Sequence, residues 1–193
     1  MNSFERLRTF TSKYVTLTDE EFTHFSGFFE LRKFEKHQKL VQIGETEKYL
    51  NFIETGLARM YFIREKEEVT MKFSAEGEII CCYESFFTGN VSNYYSESIE
   101  PLVVLSITLQ NLDKLFDLNP KIERIGRLFA TQEYLKKEAF EYNRVEVNTK
   151  ERFIKFIQEN GNLLQRVPQK YIASYLGFTP EFLSKIRRKM MAR

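Results

Sequence analysis

This chain of 193 residues has no tryptophan, only four prolines, two histidines and two cysteines. Each scarcity removes a class of protein. Cys81 and Cys82 are neighbours and cannot cross-link distant segments into a disulfide framework, which agrees with a reducing compartment. His24 and His37 have no H-x-H spacing, so the clustered imidazoles of a cupin-type metal oxygenase are missing. Neither cysteine has a histidine near it in sequence to activate a thiolate, and a small buried apolar role is the default for both. No cofactor, metal or catalytic residue is expected. No run of 18 apolar residues occurs, so no membrane span is expected. The opening MNSFERLRTF lacks the apolar core of a signal peptide, and the expected location is cytoplasmic. Between Phe73 and Asp113 there is no Lys, Arg or His at all.

What is present is an uneven charge. The net charge of +2 divides into ten basic and three acidic residues over 148–193, against 19 basic and 24 acidic elsewhere. A basic module joined to an acidic body is what a polyanion-binding end looks like.

That basic end carries the most specific pattern in the chain. With Gln169 as position 1, Ile172, Leu176, Leu183 and Ile186 fall at the apolar positions 4, 8, 15 and 18 of a helix-turn-helix. Ala173 stands where the two helices cross, and Gly177 where the turn favours positive φ. Thr179 is placed to cap the second helix, with Pro180 and Glu181 suited to its first turn. Glu181, Ser184, Lys185 and Arg188 share one helical face, while Phe182, Leu183 and Ile186 mainly face the protein.

Upstream, Thr18 and Glu21 form a capping box, with Leu17 and Phe22 as its hydrophobic staple. From about residue 28 to 107 the pattern becomes short alternating runs, clearest over 57–63 and at Val69, Met71 and Phe73. Residues 102–107 are nearly continuously apolar. Gly44, Gly56, Gly77 and Gly89 punctuate these runs, and seven or eight strands fit an antiparallel jelly roll. Most of the 19 Phe and 10 Tyr are expected to fill its core.

A short helix over 111–118 and a long one over 120–147 follow. Ile125, Leu128, Gln132, Leu135, Ala139 and Tyr142 step by 3 and 4 along a heptad seam. Such a helix, about 42 Å long, either pairs with its copy in a second subunit or lies flat on its own jelly roll. In the first case Gln132 would meet another Gln across the two-fold axis. A further helix begins at Asn148 and stops at Asn160-Gly161. The predicted fold is α+β, an N-terminal antiparallel jelly roll (1–119), a long dimerisation helix (120–147) and a C-terminal helix-turn-helix domain (148–193).

This order resembles the Crp/Fnr family of transcription regulators. The resemblance rests on Gln42 to Phe62 (QIGETEKYLNFIETGLARMYF), the Gly77-Glu78 pair and IASYLGFTPEFLSKIRRK near the end. It implies a homodimer joined through the long helices, with a recognition helix from each subunit in successive major grooves about 34 Å apart. Double-stranded DNA is then the implied partner, with RNA polymerase a second one. In family positions that read base edges this chain has Pro180, Glu181 and Lys185. Glu181 can accept from cytosine N4 and Lys185 can donate to guanine, whereas Pro180 can make no such contact. Gln169, Lys170, Thr179 and Arg187 or Arg188 are expected to meet phosphates.

Three departures accompany the likeness. Members that bind cyclic AMP carry an Arg after the Gly-Glu pair to hold the phosphate, and no cation occurs between 73 and 113 here. Glu78 stands where a ribose hydroxyl would be bonded, but alone it would repel a phosphate, and an unpaired buried charge is costly. Two adjacent cysteines cannot supply the four ligands of an iron–sulfur cluster. Little chain follows the recognition helix, so a wing is expected to be short, absent or truncated. Ile79, Cys81, Tyr83, Phe86 and Phe87, with Glu78, could line a pocket for a neutral or apolar effector, or close into a dry core. The sequence leaves both open.

Overall fold

The computed structural model describes residues 4–146 and 149–191, with side chains described except at 143–146, 149–150, 187 and 189–191. The boundary expected at Val147 and Asn148 lies outside the described residues. The chain divides into two compact units, Met1–Phe62 with Lys72–Gln132, and Ile63–Met71 with Glu133–Arg193. The division falls inside the long helix rather than at either of its expected ends.

The first unit opens with two helices, α1 (Glu5–Ser12) and α2 (Asp19–Ser26). The capping box forms as expected. Thr18 Oγ1 accepts from the Glu21 N–H, and the Glu21 carboxylate accepts from the Thr18 N–H. Leu17 and Phe22 are both buried beneath it. α1 was not legible in the sequence, yet it buries Leu7 and Phe10.

Eight strands follow among the described residues: β1 (Glu30–Phe34), β2 (Lys39–Val41), β3 (Leu50–Thr55), β4 (Ala58–Arg64), β5 (Glu67–Ser74), β6 (Ile79–Ile80), β7 (Tyr95–Ser98) and β8 (Leu102–Ile107). They form two four-stranded sheets, β1-β8-β3-β6 and β2-β7-β4-β5. The β1–β8, β3–β8, β3–β6, β2–β7 and β4–β7 pairs are antiparallel. A short helix, α3 (Tyr83–Thr88), interrupts the run between β6 and β7. The sequence reading missed it.

The first sheet is covered on both faces, which explains the unbroken apolar run of β8. Leu105 and Ile107, with Leu50 and Phe52 of β3, join the helices in one cluster. Leu102 and Val104, with Ile53 of β3, join Ala58 of the second sheet in another. Successive residues of a strand point to opposite faces, so a doubly buried strand needs apolar residues at every position. Between β3 and β4, Gly56 has φ +97°, and a Cβ there would lie 2.4 Å from the Pro101 carbonyl oxygen. Only glycine fits that corner.

Two helices close the unit. Thr108 caps α4 (Leu109–Leu118) by accepting from the Asn111 N–H. α5 runs from Pro120 to Glu146, 27 residues, and its Ile122 and Ile125 enter the helix-side cluster.

The second unit holds the rest of α5, the hairpin end Ile63–Met71, and α6 (Thr149–Asn160), α7 (Leu163–Arg166), α8 (Gln169–Leu176) and α9 (Pro180–Met191). The short α7 joins α6 to α8. Phe153, Ile172, Ala173 and Leu183 are completely buried.

Candidate nucleic-acid interface

α8 ends where Gly177 takes φ +73° as a left-handed cap. The backbone then closes with the Phe178 N–H donating to the Ala173 carbonyl. Arg152 of α6 donates to the Leu176 carbonyl at 3.5 Å, a cation at the negative end of α8. Thr179 Oγ1 accepts from the Phe182 N–H at 3.2 Å, so it caps α9 as its position in the sequence predicts. Ala173 has no exposed surface, consistent with a crossing point that admits only a small side chain.

With Leu183 buried, the opposite face of α9 turns outward. Pro180, Glu181, Ser184, Lys185 and Arg188 are exposed, as are Gln169, Lys170 and Thr179 at the adjoining end of α8 and in the turn. The Ser184 hydroxyl donates to Gln169 Oε1 at 3.4 Å, joining the starts of the two helices. The Arg187 side chain lies outside the described set. Phe182 differs from expectation. It is 42% exposed and meets Phe178 edge to face, so it flanks the outward surface. Within this unit the Ser174 hydroxyl accepts from the Thr70 N–H and donates to the Glu68 carbonyl.

The residues of the long seam separate into two groups. Ile125 is buried in the core of its own unit, and Leu128 is half-buried. Gln132, expected to meet another Gln across a two-fold axis, accepts from the Tyr14 hydroxyl within the chain. Leu135, Ala139 and Tyr142 are exposed, together with Tyr134. One end of the helix thus lies on the jelly roll while the other presents an uncovered apolar stripe.

The suggested effector residues fall in different settings. Ile79, Cys81 and Phe86 are buried on the helix-facing side of the first sheet, among Phe52, Leu105 and Leu115. Tyr83 packs against that cluster and stacks with Phe87, which is itself 53% exposed. Glu78 is exposed and its carboxylate accepts from the Ala75 N–H, where it stabilises a turn. A shallow recess of about 250 Å³ lies elsewhere, lined by Phe28, Phe29, Glu30, Tyr49, Ser106 and Asn111 among others. No group of three His, Cys, Asp or Glu side chains suited to a metal ion occurs among the described residues. No described helix is long and apolar enough to cross a membrane.

Residues 31–119 match the family model described as the cyclic nucleotide-binding domain. That match covers the jelly roll and α4, 89 of the 193 residues, and several solved structures share the fold over most of the chain. FixK2 from Bradyrhizobium japonicum is 18% identical, with 85% of each chain covered and a TM-score of 0.71. CLP from Xanthomonas campestris, described as a c-di-GMP responsive global regulator, is 14% identical over 91% of this chain and 92% of its own, with a TM-score of 0.70. A CooA mutant from Carboxydothermus hydrogenoformans is 15% identical over 88% and 79%, also at 0.70. At these identities the likeness is one of fold. No curated protein matches this chain.

Inside the jelly roll, charge is held in the interior as well. Arg59 of β4 is buried to 1% exposure, with Glu97 of β7 opposite it in register. Arg59 Nη2 lies 3.4 Å from Glu97 Oε1, His37 Nδ1 lies 3.5 Å from the same oxygen, and Lys39 pairs with Oε2. Burial opposes ionisation of Glu97, but the Lys39 hydrogen bond and the Arg59 charge outweigh it and hold the carboxyl below its usual range. The signal was a lone arginine inside an otherwise apolar strand, LARMYFI. A buried cation so placed is neutralised by its own carboxylate.

Proposed function

We propose that this chain is a cytoplasmic, homodimeric, sequence-specific DNA-binding transcription regulator of Crp/Fnr type, without control by cyclic AMP and without catalysis. The observation that carries the reading is the outward face of α9. Glu181, Ser184, Lys185 and Arg188 stand exposed on one side while Leu183 anchors the other at 0% exposure. A helix held by its apolar side, with a capped N-terminus and a cationic outer face, has the form of a major-groove reader. Glu181 would read cytosine and Lys185 guanine. Gln169, Lys170, Thr179 and Arg187 or Arg188 would meet phosphates. The uncovered stripe of Leu135, Ala139 and Tyr142 on α5 supports pairing with a second copy, which would place two reading helices on one duplex. RNA polymerase remains the further partner implied by the family.

Control by cyclic AMP is disfavoured because no cation occurs from Phe73 to Asp113 and the buried Arg59 is already paired with Glu97. The burial of Ile79, Cys81 and Phe86 in the helix-side cluster favours a closed interior over a pocket for an apolar effector. Fluorescence anisotropy on a set of labelled duplexes selected from a random pool tests the assignment. Lys185→Ala is expected to cost about 1–3 kcal/mol on the preferred site and to relax discrimination at one base pair. Lys170→Ala is expected to weaken all duplexes alike and to reduce the salt slope by about 1. Identical behaviour of the two variants would remove the distinction between reading and positioning residues.

A further inference from the structure

Glu47 lies in the loop between β2 and β3 and is 4% exposed. Its backbone N–H donates to Ser85 Oγ of α3 at 2.8 Å, and the Ser85 hydroxyl donates to the Asn90 carbonyl. This chain of bonds ties the loop to the short helix. One carboxylate oxygen, Oε1, accepts from the Tyr49 N–H at 3.3 Å. The other, Oε2, is buried with no hydrogen bond of good geometry, and the Cys82 and Lys48 amides bear on the carboxyl more weakly than that of Tyr49. Arg32 of β1 contributes positive charge, with its guanidinium 4.1 Å above the Tyr49 ring. The thiols of Cys81 and Cys82, just before α3 and at its N-cap, feel the charge of this carboxyl. Burial pushes Cys82 up to about 11 and Cys81 well above the usual thiol range, so both are neutral at physiological pH. A carboxylate buried with one oxygen unsatisfied is costly, and taking up a proton relieves most of that cost.

We propose that Glu47 is a proton-binding switch inside the cyclic nucleotide-binding domain, which when protonated seals the β2–β3 loop onto α3 and when ionised loosens that seam. Burial raises the Glu47 carboxyl from 4.5 to about 7, against the opposing pull of the Tyr49, Cys82 and Lys48 amides and of Arg32. A folded-state value above the unfolded one means that the folded protein binds this proton more tightly. The stabilisation is therefore complete below pH 4.5 and is lost as pH rises through about 7. Glu97 and Glu21, held below their usual values, act in the opposite sense at acid pH and are common to both proteins compared below.

The test is thermal unfolding of the full chain and of Glu47→Gln from about pH 5.5 to 8.5. The two are expected to melt together at the acid end, with the wild type falling about 5 °C below the variant at the alkaline end. Parallel curves would overturn the proposal. Should Glu47→Gln fail to fold, a carbon-13 carboxyl titration of the wild type decides, where a Glu47 midpoint near 7 supports the switch and one near 4.5 overturns it. Amide exchange over 83–88, compared at one alkaline pH, is expected to be faster in the wild type than in the variant. Equal exchange would overturn the seam.

Discussion

The two units of this molecule treat the same residue types in opposite ways. In the jelly-roll unit, certain charges are drawn inward and cancelled. Arg59 and Glu97 are buried in register, and Glu47 is buried beside two neutral thiols. In the C-terminal unit, charge is kept outward and left available, with Lys170, Glu181, Lys185 and Arg188 all exposed. A desolvated charge must be paired or neutralised to be tolerated, so it contributes to architecture rather than to recognition of an anion. An exposed charge on a rigid helix has lost none of its capacity to meet a phosphate or a base edge.

Perturbing each unit separately sharpens this contrast. The largest effect is expected at Phe52, 1% exposed in the helix-side cluster and edge-on to Phe10. Phe52→Ala should cost about 3–5 kcal/mol of stability, read by denaturant unfolding, with DNA affinity retained by the molecules that remain folded. Leu183→Ala should cost about 2–5 kcal/mol and, unlike Phe52→Ala, should also weaken DNA binding, because the anchor of α9 is lost. Equal effects of the two on affinity would erase the proposed division of labour. Gly177→Ala is the mildest. Nothing lies within 4 Å of a Cβ built there, and only the φ of +73° is penalised, so about 1 kcal/mol is expected. Its readout is the unfolding midpoint, with base preference unchanged.

The parts legible in the sequence are those written in local code. The Thr18–Glu21 box, the Gly177 turn and the Thr179 cap each involve residues within a few positions of one another, and each formed as read. The apolar run of β8 was legible because both faces of its strand are buried. What escaped notice depends on distant partners. Gln132 bonds Tyr14, 118 residues away, and no heptad pattern contains that information. α3 has six residues and no side-chain cap hydrogen bond, so it gave no start signal and was read with the strands. Glu47 sits among Glu45, Thr46 and Lys48 in a stretch that looks solvated, and its burial and its bond to Ser85, 38 residues on, come from the fold. Phe87 was grouped with Phe86 as a pocket residue, yet one helical step separates a buried ring from an exposed one.

The central claim is that exposed cations on α9 and its neighbours engage double-stranded DNA in pairs of chains. Titration of the full chain against a labelled duplex from the selected pool, repeated from low to physiological salt, tests it most directly. The account predicts saturation at two chains per site and a log affinity that falls linearly with log salt. An absence of affinity for any duplex at low salt would contradict it.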